Sequence, residues 1–276
     1  MLVRAHNCVI AAISVWVGQY LTPAAAARPP DMAAMLAAFF VCGFGNILND
    51  ILDIDTDRIN HPHRPLPAGK IGLRCARLSA AVFLFLAGCA MIGLGNAGRV
   101  IAVMAIVLLI LYNVRLKHIA YLGNLTIAVL GGLTFILGGV RDGFGAAIAL
   151  PGPLIPAFFA FLMHFGREII KDIQDVSGDR ASGSHTSPVQ YGPLIPLISA
   201  YAIYLLLTAA TVAVYVPGWF TALFFYINLF CLYLPVLMQF FWLGLHPTTD
   251  KCRTVSFLIR LEMLPGLAAL VIGKGY

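Results

Sequence analysis

Charge is the scarcest feature of this 276-residue sequence: Asp, Glu, Lys and Arg make up 11% of it, whereas 60% of its residues are hydrophobic. Soluble domains carry about 25% charged residues, so the composition excludes an ordinary soluble domain. Apolar runs recur along the chain, each close to the roughly 20 residues that cross a bilayer. Because lipid offers no hydrogen-bond partners to the backbone, such runs must be helical. The sequence therefore predicts an all-α, polytopic membrane bundle.

Metal-binding spacings of cysteine and histidine are also missing. The six cysteines are scattered without a CxxC pair, and the histidines form neither HxxxH nor HExxH. This excludes the familiar zinc patterns and favours small, apolar packing roles for the cysteines. The net charge of +6 comes without the interleaved basic and aromatic residues of RNA-binding segments. We therefore predict no nucleic-acid partner and attribute the charge to membrane topology and an anionic substrate.

About nine transmembrane helices are predicted, and they form a single domain over residues 1–276. Their expected ranges are 7–22, 32–51, 76–95, 99–114, 121–139, 153–172, 192–214, 218–240 and 255–272. The Ala-rich run at 24–27 resembles a signal-peptide cleavage site. The later spans continue the pattern of the first, which favours a first span that belongs to the bundle.

Most of the 18 Lys and Arg residues fall on one side of the membrane if the N-terminus is inside. The positive-inside rule then predicts a cytoplasmic N-terminus and cytoplasmic polar loops in the cell membrane. The acidic clusters described next lie on that same side. We expect an active-site cavity that opens at the cytoplasmic face.

Acidic residues are concentrated in two clusters at the ends of the second and sixth spans. The first cluster is Asn46, Asp50, Asp53 and Asp57, and the second is Glu168, Asp172, Asp175 and Asp179. Both have the spacing i, i+4, i+7, i+11, which places each set on one face of a helix. Neighbouring carboxylates repel one another unless divalent cations neutralise them, and Mg²⁺ binds a few carboxylates together with waters and substrate phosphates. The spacing predicts two facing stripes that hold Mg²⁺ and a diphosphate. Solvated helix ends, paired with nearby Arg residues, are the alternative.

Basic and aromatic side chains accompany the two clusters. Arg58, Arg64 and Lys70 follow the first cluster in a Pro-rich loop, Arg115 and Lys117 follow the fourth span, and Lys171 lies within the second cluster. Arg binds phosphate oxygens with two parallel hydrogen bonds, so these residues are candidate diphosphate ligands. Tyr112 is a candidate to face an allylic cation with its ring. Positive-inside topology and an interfacial aromatic belt explain the same residues without a substrate.

A long motif carries a family resemblance. The run Asn49-Asp50-x2-Asp53-x3-Asp57-Arg58-x-Asn60-x-Pro62-x-Arg64-Pro65-x-Pro67-x-Gly69 closely resembles the first motif of the UbiA prenyltransferase superfamily. The second acidic cluster resembles the second motif, and Tyr112 to Lys117 resembles a third element. The resemblance implies that the six aspartates, Asp50, Asp53, Asp57, Asp172, Asp175 and Asp179, serve Mg²⁺ and diphosphate. It also implies that Asn46 and Asn49 orient the first motif, and that Arg64, Lys117 and Lys171 contact phosphates.

The second motif, from Gly166 to Asp179, looks most like that of the digeranylgeranylglyceryl phosphate synthase subgroup. That resemblance implies Mg²⁺-dependent transfer of a geranylgeranyl group from its diphosphate to the hydroxyl of geranylgeranylglyceryl phosphate, in contact with membrane lipids. A phosphorylated acceptor needs further basic groups, for which Arg58, Arg64, Lys70 and Arg74 are candidates.

Other functions remain open. Prenylation of an aromatic acceptor, such as a quinone, chlorophyll or haem precursor, uses the same first motif. A cation transporter also keeps carboxylates in membrane helices, although usually near the midplane. CDP-alcohol phosphotransfer is disfavoured because no DGxxAR run occurs, and a structural scaffold leaves the matched stripes unexplained.

Overall fold

The computed structural model describes residues 2–23 and 28–276. Within these ranges all regular secondary structure is helical, apart from two isolated bridges between single residues. This confirms the predicted all-α class. The run at 24–27, which was weighed as a cleavage site, lies outside the described residues.

Thirteen α-helices follow one another along the described chain. They are α1 (Ala5–Leu21), α2 (Met32–Leu52), α3 (Ile54–Asn60), α4 (Leu73–Ile92), α5 (Asn96–Val114), α6 (Leu122–Gly139), α7 (Phe144–Ile148), α8 (Leu154–Ala181), α9 (Ser187–Tyr191), α10 (Leu194–Tyr215), α11 (Ala222–Asn228), α12 (Leu234–Leu243) and α13 (Thr249–Ile272). A π-helical turn at Leu229–Tyr233 joins α11 to α12, and 3₁₀ turns occupy Leu116–His118 and Val140–Asp142.

Seven helical segments are long and apolar enough to cross a membrane. Their ranges are Met32–Leu52, Leu73–Ile92, Asn96–Val114, Leu122–Asp142, Leu194–Tyr215, Ala222–Leu243 and Thr249–Ile272. Large apolar side chains point outward from them, including Phe241, which is 90% exposed. A surface of this kind suits lipid rather than water, and the chain is an integral membrane protein. Helix α1 has 17 residues and α8 carries the second acidic cluster, so nine crossings stay a prediction.

Several predicted boundaries were wrong at the polar end of the bundle. The sixth span was expected to end at 172, but α8 continues to Ala181, so the entire second cluster lies on one helix. The third span was expected from 76 and α4 begins at Leu73, which agrees within about three residues, but the ninth was expected from 255 and α13 begins at Thr249. Helix α13 starts early because the Thr248 hydroxyl caps it, accepting a hydrogen bond from the Lys251 amide at 3.3 Å.

The first acidic cluster does not lie on one uninterrupted helix, as the spacing had predicted. Helix α2 ends at Leu52 and α3 starts at Ile54, with Asp53 between them at φ −95° and ψ 10°. Backbone bonds from the amide of Asp53 to Asn49 and from Asp57 to Asp53 still bridge the break. Asp50 therefore lies on α2 before the break, whereas Asp53 lies at the break and Asp57 beyond it.

The bundle is held together by close helix approach as well as by apolar side chains. Helix α1 packs against α6, α2 against α4, and α8 against both α6 and α10. Gly18 and Gly138 lie where α1 meets α6, and a Cβ on Gly138 would be 1.9 Å from the carbonyl oxygen of Val15. Small residues permit such contact between membrane helices. These contacts bring the C-terminal ends of α2 and α8 to the same end of the bundle.

Candidate active site

A small polar cavity lies between the two acidic clusters. Its volume is about 70 Å³, and five carboxylates line it: Asp53, Asp57, Asp172, Asp175 and Asp179. The predicted facing of the two acidic clusters therefore agrees with the geometry of the described residues. A cavity with this lining attracts cations, and it repels a phosphate that arrives without them.

The first cluster is engaged by basic and amide side chains. Lys117 forms an ion pair with Asp53, and the Asn49 amide donates a hydrogen bond to the other Asp53 oxygen at 2.7 Å. Arg64 donates to both oxygens of Asp57, at 2.6 and 2.7 Å. Charge-assisted bonds of this type are among the strongest in proteins. They fix the two carboxylates at the wall of the small cavity.

Asp50 differs from the other five aspartates because it does not line the small cavity. Its carboxylate is buried, forms an ion pair with Arg4, and lies 4.0 Å from Arg64. It lines neither the small cavity nor the larger one described below. Asp50 thus links α1, α2 and the loop that carries Arg64.

The second cluster occupies successive turns of α8. Asp172 accepts a hydrogen bond from the Asn124 amide at 2.9 Å, and Asp179 accepts one from the Thr186 hydroxyl at 3.0 Å. Asp175 lies 3.2 Å from the ring nitrogen Nε2 of His61. Glu168 is buried and pairs with Arg167 and with Lys171, the latter at 3.1 Å. The three aspartates are thus held mainly by neutral groups, which leaves them available to a cation.

Asn60 connects the two clusters directly. Its amide nitrogen donates to the backbone oxygen of Asp175 at 3.0 Å, and its amide oxygen accepts from the Gly178 amide at 3.0 Å. These bonds attach the C-terminal end of α3 to α8. They set the width of the cavity between the acidic side chains.

The loop after α5 closes another side of the small cavity. His118 lies 2.7 Å from the Ser184 hydroxyl, and its backbone oxygen accepts from the His185 amide at 2.8 Å. Burial lowers the pKa of His118 below its usual value, and the positive charge of Lys117 lowers it further. His118 is therefore neutral near pH 7 and joins the two loops by hydrogen bonds.

A larger cavity of about 440 Å³ extends from the small one into the bundle. Four residues line both cavities and mark their junction: Asn49, Arg64, Tyr112 and Lys171. The deeper wall is mostly apolar, with side chains such as Val41, Leu109 and Phe159. Such a volume and lining suit a small lipid-like ligand whose polar end sits at the junction.

The predicted site residues divide into two groups by position. Those that line one or both cavities are Asn46, Asn49, Asp53, Asp57, Arg64, Tyr112, Lys117, Asp172, Asp175, Asp179 and Lys171. Asp50, Arg58, Lys70 and Arg115 line neither. Arg58 instead pairs with Asp55 at 2.6 Å on the exposed surface.

Sequence reasoning gave no site role to several residues that shape the cavities. Asn60 stood within the first motif, and His61 followed it, but their contacts with α8 were not visible in the sequence. Asn124, Ser184 and Thr186 were also missed, because isolated polar residues outside a repeated spacing carry little signal. Their contacts join positions that are far apart in the chain.

The donor set of the small cavity fits Mg²⁺. Among the described residues, no group of three or more His, Cys, Asp or Glu side chains is arranged to hold a metal by itself. Mg²⁺ does not require one, because it keeps several waters and takes one or two carboxylates together with substrate phosphates. Carboxylate oxygens from α2–α3 and α8 meet that requirement on both sides of one cavity.

The structure combines a polytopic helical bundle, acidic helix ends and an apolar cavity beside them. This combination is typical of intramembrane enzymes that bind a long apolar substrate with a charged end. The UbiA prenyltransferase family model matches residues 9–261. The chain belongs to this family, and the protein is a prenyltransferase.

Similar proteins agree with this assignment. The digeranylgeranylglyceryl phosphate synthase of Methanoculleus marisnigri is 34% identical over 275 residues, covering 98% of this chain and 96% of that protein. A solved structure concerned with digeranylgeranylglyceryl phosphate synthase in membranes is 29% identical, with a TM-score of 0.73, and the match covers 99% of this chain and 95% of that one. A UbiA homologue from Archaeoglobus fulgidus, bound to GPP and Mg²⁺, is 20% identical with a TM-score of 0.64, and the match covers 98% of both chains. This last likeness shows the fold alone.

Proposed function

We propose that the protein transfers a geranylgeranyl group from geranylgeranyl diphosphate to the hydroxyl of geranylgeranylglyceryl phosphate, with release of diphosphate. The observation that carries this proposal is the junction of the two cavities, where Asn49, Arg64, Tyr112 and Lys171 separate an acidic pocket from an apolar one. A prenyl diphosphate has the same division between charged and apolar ends. Relatives named as digeranylgeranylglyceryl phosphate synthases, at 34% and 35% identity, support the acceptor.

The chain's own side chains bind and orient the donor. Lys117, Arg64 and Lys171 stand at the cavity wall, where their positive charges stabilise the negative charge that builds on the departing diphosphate. When bound, Mg²⁺ would add to this stabilisation by polarising the phosphate oxygens. Asp53, Asp57, Asp172, Asp175 and Asp179 are the residues that would hold it, whereas we assign Asp50 to the support of Arg4 and Arg64. The C1–O bond lengthens first, so positive charge develops on the allylic C1. The acceptor oxygen then bonds to C1, and the hydroxyl proton leaves with the diphosphate.

Tyr112 lies where the reacting carbon would pass from one cavity to the other. An aromatic ring attracts cations through its π face, so Tyr112 is the proposed neighbour of the allylic cation. The apolar wall beyond it keeps water away from that cation. The helices act as one transmembrane domain with the small cavity and the N-terminus on the cytoplasmic side of the cell membrane.

The direct test of the reaction uses the purified protein in detergent. It is offered geranylgeranyl diphosphate with either geranylgeranylglyceryl phosphate or an aromatic acid, and products are identified by mass. We expect the ether product from the phosphorylated lipid alone, and no product when EDTA removes Mg²⁺. Product from the aromatic acid alone would replace the proposed acceptor.

The two acidic helix ends are tested by Asp53→Ala and Asp175→Ala. Each change removes a carboxylate from one wall of the small cavity, so turnover should fall by about a hundredfold or more, as for loss of a group that stabilises transition-state charge. The variants should elute from size exclusion and melt like the wild type. Asp55→Ala is the matched control, because Asp55 is exposed and pairs with Arg58 outside the cavity. Near-normal turnover in both cavity variants would contradict the assignment.

A further inference from the structure

Positive charge is concentrated at the polar end of the large cavity. Five basic side chains line this cavity: Arg4, Arg64, Arg167, Lys171 and Arg260. Only two acidic side chains line it, Glu168 and Glu262. Glu262 is buried and hydrogen-bonded to Gln239, and Glu168 is engaged by Arg167 and Lys171. The cavity therefore has basic groups in excess of its own carboxylates.

Arg260 is the exception among these basic residues. Arg4, Arg64, Arg167 and Lys171 each form an ion pair with a carboxylate. Arg260 forms no ion pair and no side-chain hydrogen bond with any residue in the ranges 2–23 and 28–276. It lies in the interior of α13, a helix long and apolar enough to cross the membrane. A guanidinium at such a position is costly unless it faces water or an anionic ligand.

The neighbours of Arg260 make this cost larger. Arg4, Arg64 and Arg167 line the same cavity as Arg260, together with the carboxylate of Glu168. Because Glu168 already holds two basic partners, it does not neutralise Arg260 as well. An anion that enters the cavity would relieve this repulsion and satisfy the free N–H groups.

We propose that Arg260, with Arg4 and Arg64, binds the phosphate of the acceptor lipid. This inference rests on the proposed function, since it names the group that selects a phosphomonoester acceptor. A phosphomonoester carries nearly two negative charges at pH 7, and the planar fork of Arg matches its oxygens. The five carboxylates of the small cavity repel a second phosphate. The basic end of the large cavity is the place that accepts it.

This assignment differs from the one that the sequence suggested. Arg58, Lys70 and Arg74 were candidates for the acceptor phosphate, but none of them lines either cavity. Arg64 does line both. Arg260, in the last span, completes a set of arginines drawn from the residue before α1, the loop after α3, and α13. The acceptor is thereby held against the junction where Tyr112 lies.

The test compares Arg260→Met with the wild type in detergent. The apparent KM for geranylgeranylglyceryl phosphate should rise about tenfold to a hundredfold, the range expected for loss of a hydrogen-bonded charge. The KM for geranylgeranyl diphosphate should stay within about twofold, because the donor phosphates occupy the other cavity. With geranylgeranylglycerol, which lacks the phosphate, the variant and the wild type should have similar kcat/KM. Arg260→Lys should recover part of the loss, because it restores the charge without the planar fork.

Arg253→Met is the matched control, since Arg253 lies on the same helix, is exposed, and pairs with Asp250 at 3.3 Å. Its kinetics should equal those of the wild type. The inference fails if Arg260→Met raises the KM of the donor instead, or affects both acceptors equally. It also fails if the wild-type protein does not prefer the phosphorylated acceptor, a result that needs no variant and no refolding check.

Binding gives an independent readout. In EDTA, where no turnover is expected, geranylgeranylglyceryl phosphate should bind the wild type more tightly than Arg260→Met in thermophoresis. Equal binding would overturn the inference while leaving the proposed function intact. If the wild type prenylates only the aromatic acid, the proposed function itself fails.

Discussion

Asn60 shows how one side chain determines the geometry of the candidate site. Its amide bonds the backbone oxygen of Asp175 and the amide of Gly178, both at 3.0 Å. Asp175 and Asp57 stand on opposite walls of the same small cavity, and Asn60 is the described side chain that spans from one acidic segment to the backbone of the other. We infer that Asn60 is a positioning residue.

Asn60→Ala should therefore affect the site more than the fold. The change removes these two bonds and a third, which Asn60 accepts from the Ser177 hydroxyl at 3.2 Å, at a cost of about 1 to 3 kcal/mol of stability. Turnover should fall about tenfold or more, because the two sets of carboxylates are no longer held at a fixed separation. The Mg²⁺ concentration that gives half-maximal activity should rise as well. Steady-state assays across a Mg²⁺ series and thermal melts measure these effects.

Asn96→Ala is a suitable control, because Asn96 is an exposed residue at the start of α5. A purely structural role for Asn60 would lower the melting temperature without changing the Mg²⁺ requirement. That outcome would remove Asn60 from the site.

Among the individual residues, those that share a repeated spacing were the ones that the sequence identified as site residues. The aspartates of the two clusters share one spacing, and five of the six line the same cavity. Asp50 shares the spacing but pairs with Arg4, the residue before α1, a contact that no local pattern encodes. Arg260 was assigned only to a span, because its relation to Arg4 and Arg64 depends on how α1 and α13 pack. Single residues with distant partners therefore escaped prediction.

At the scale of elements, apolar length predicted helices well and their polar ends poorly. The ranges expected for α2, α5 and α6 agree with the observed ones within about three residues. The errors in helix boundaries lie mostly in polar segments, where hydrophobicity does not indicate where a helix ends. The polar extension of α8 to Ala181 is an example. The unwound residue Asp53 and the π turn at Leu229–Tyr233 were not predicted. Both depend on tertiary contacts and backbone geometry rather than on composition.

Close contact between α1 and α6 gives a prediction at this scale. In Gly138→Ala the new Cβ would lie 1.9 Å from the Val15 carbonyl oxygen, so one helix must move. Overpacking of this kind costs about 1 to 3 kcal/mol or more. We expect a lower melting temperature in detergent and a lower yield of monodisperse protein.

Gly145→Ala is the control for this change. A Cβ at Gly145 meets no atom within 4 Å, and Gly145 lies in the short helix α7. Alanine favours a helix over glycine by up to about 1 kcal/mol, so this variant should melt at or above the wild-type temperature. Equal melting of both glycine variants would show that α1 and α6 can separate without cost.

At the scale of the whole molecule, the bundle has two different ends. One end holds the small cavity, the acidic clusters and the loops that carry Arg64 and Lys117. At the other end, Arg28 pairs with Asp142 at 2.6 Å. The apolar flank between them, with side chains such as Leu205 at 72% exposure in the middle of α10, suits a position across a bilayer. The distribution of Lys and Arg then predicts which end faces the cytoplasm.

The excess of Lys and Arg at the cavity end predicts its orientation, since basic loops are retained on the cytoplasmic side. Two single-cysteine variants test this orientation in a protein from which the native cysteines have been removed. His63→Cys lies in the exposed loop between α3 and α4, and Gly145→Cys lies in α7 at the opposite end. In intact cells, a membrane-impermeant maleimide should label Gly145→Cys and should reach His63→Cys only after permeabilisation. The reverse pattern would place the cavity on the outer face, away from cytoplasmic prenyl diphosphates. Orientation therefore determines whether a soluble donor can reach the cavity without crossing the membrane.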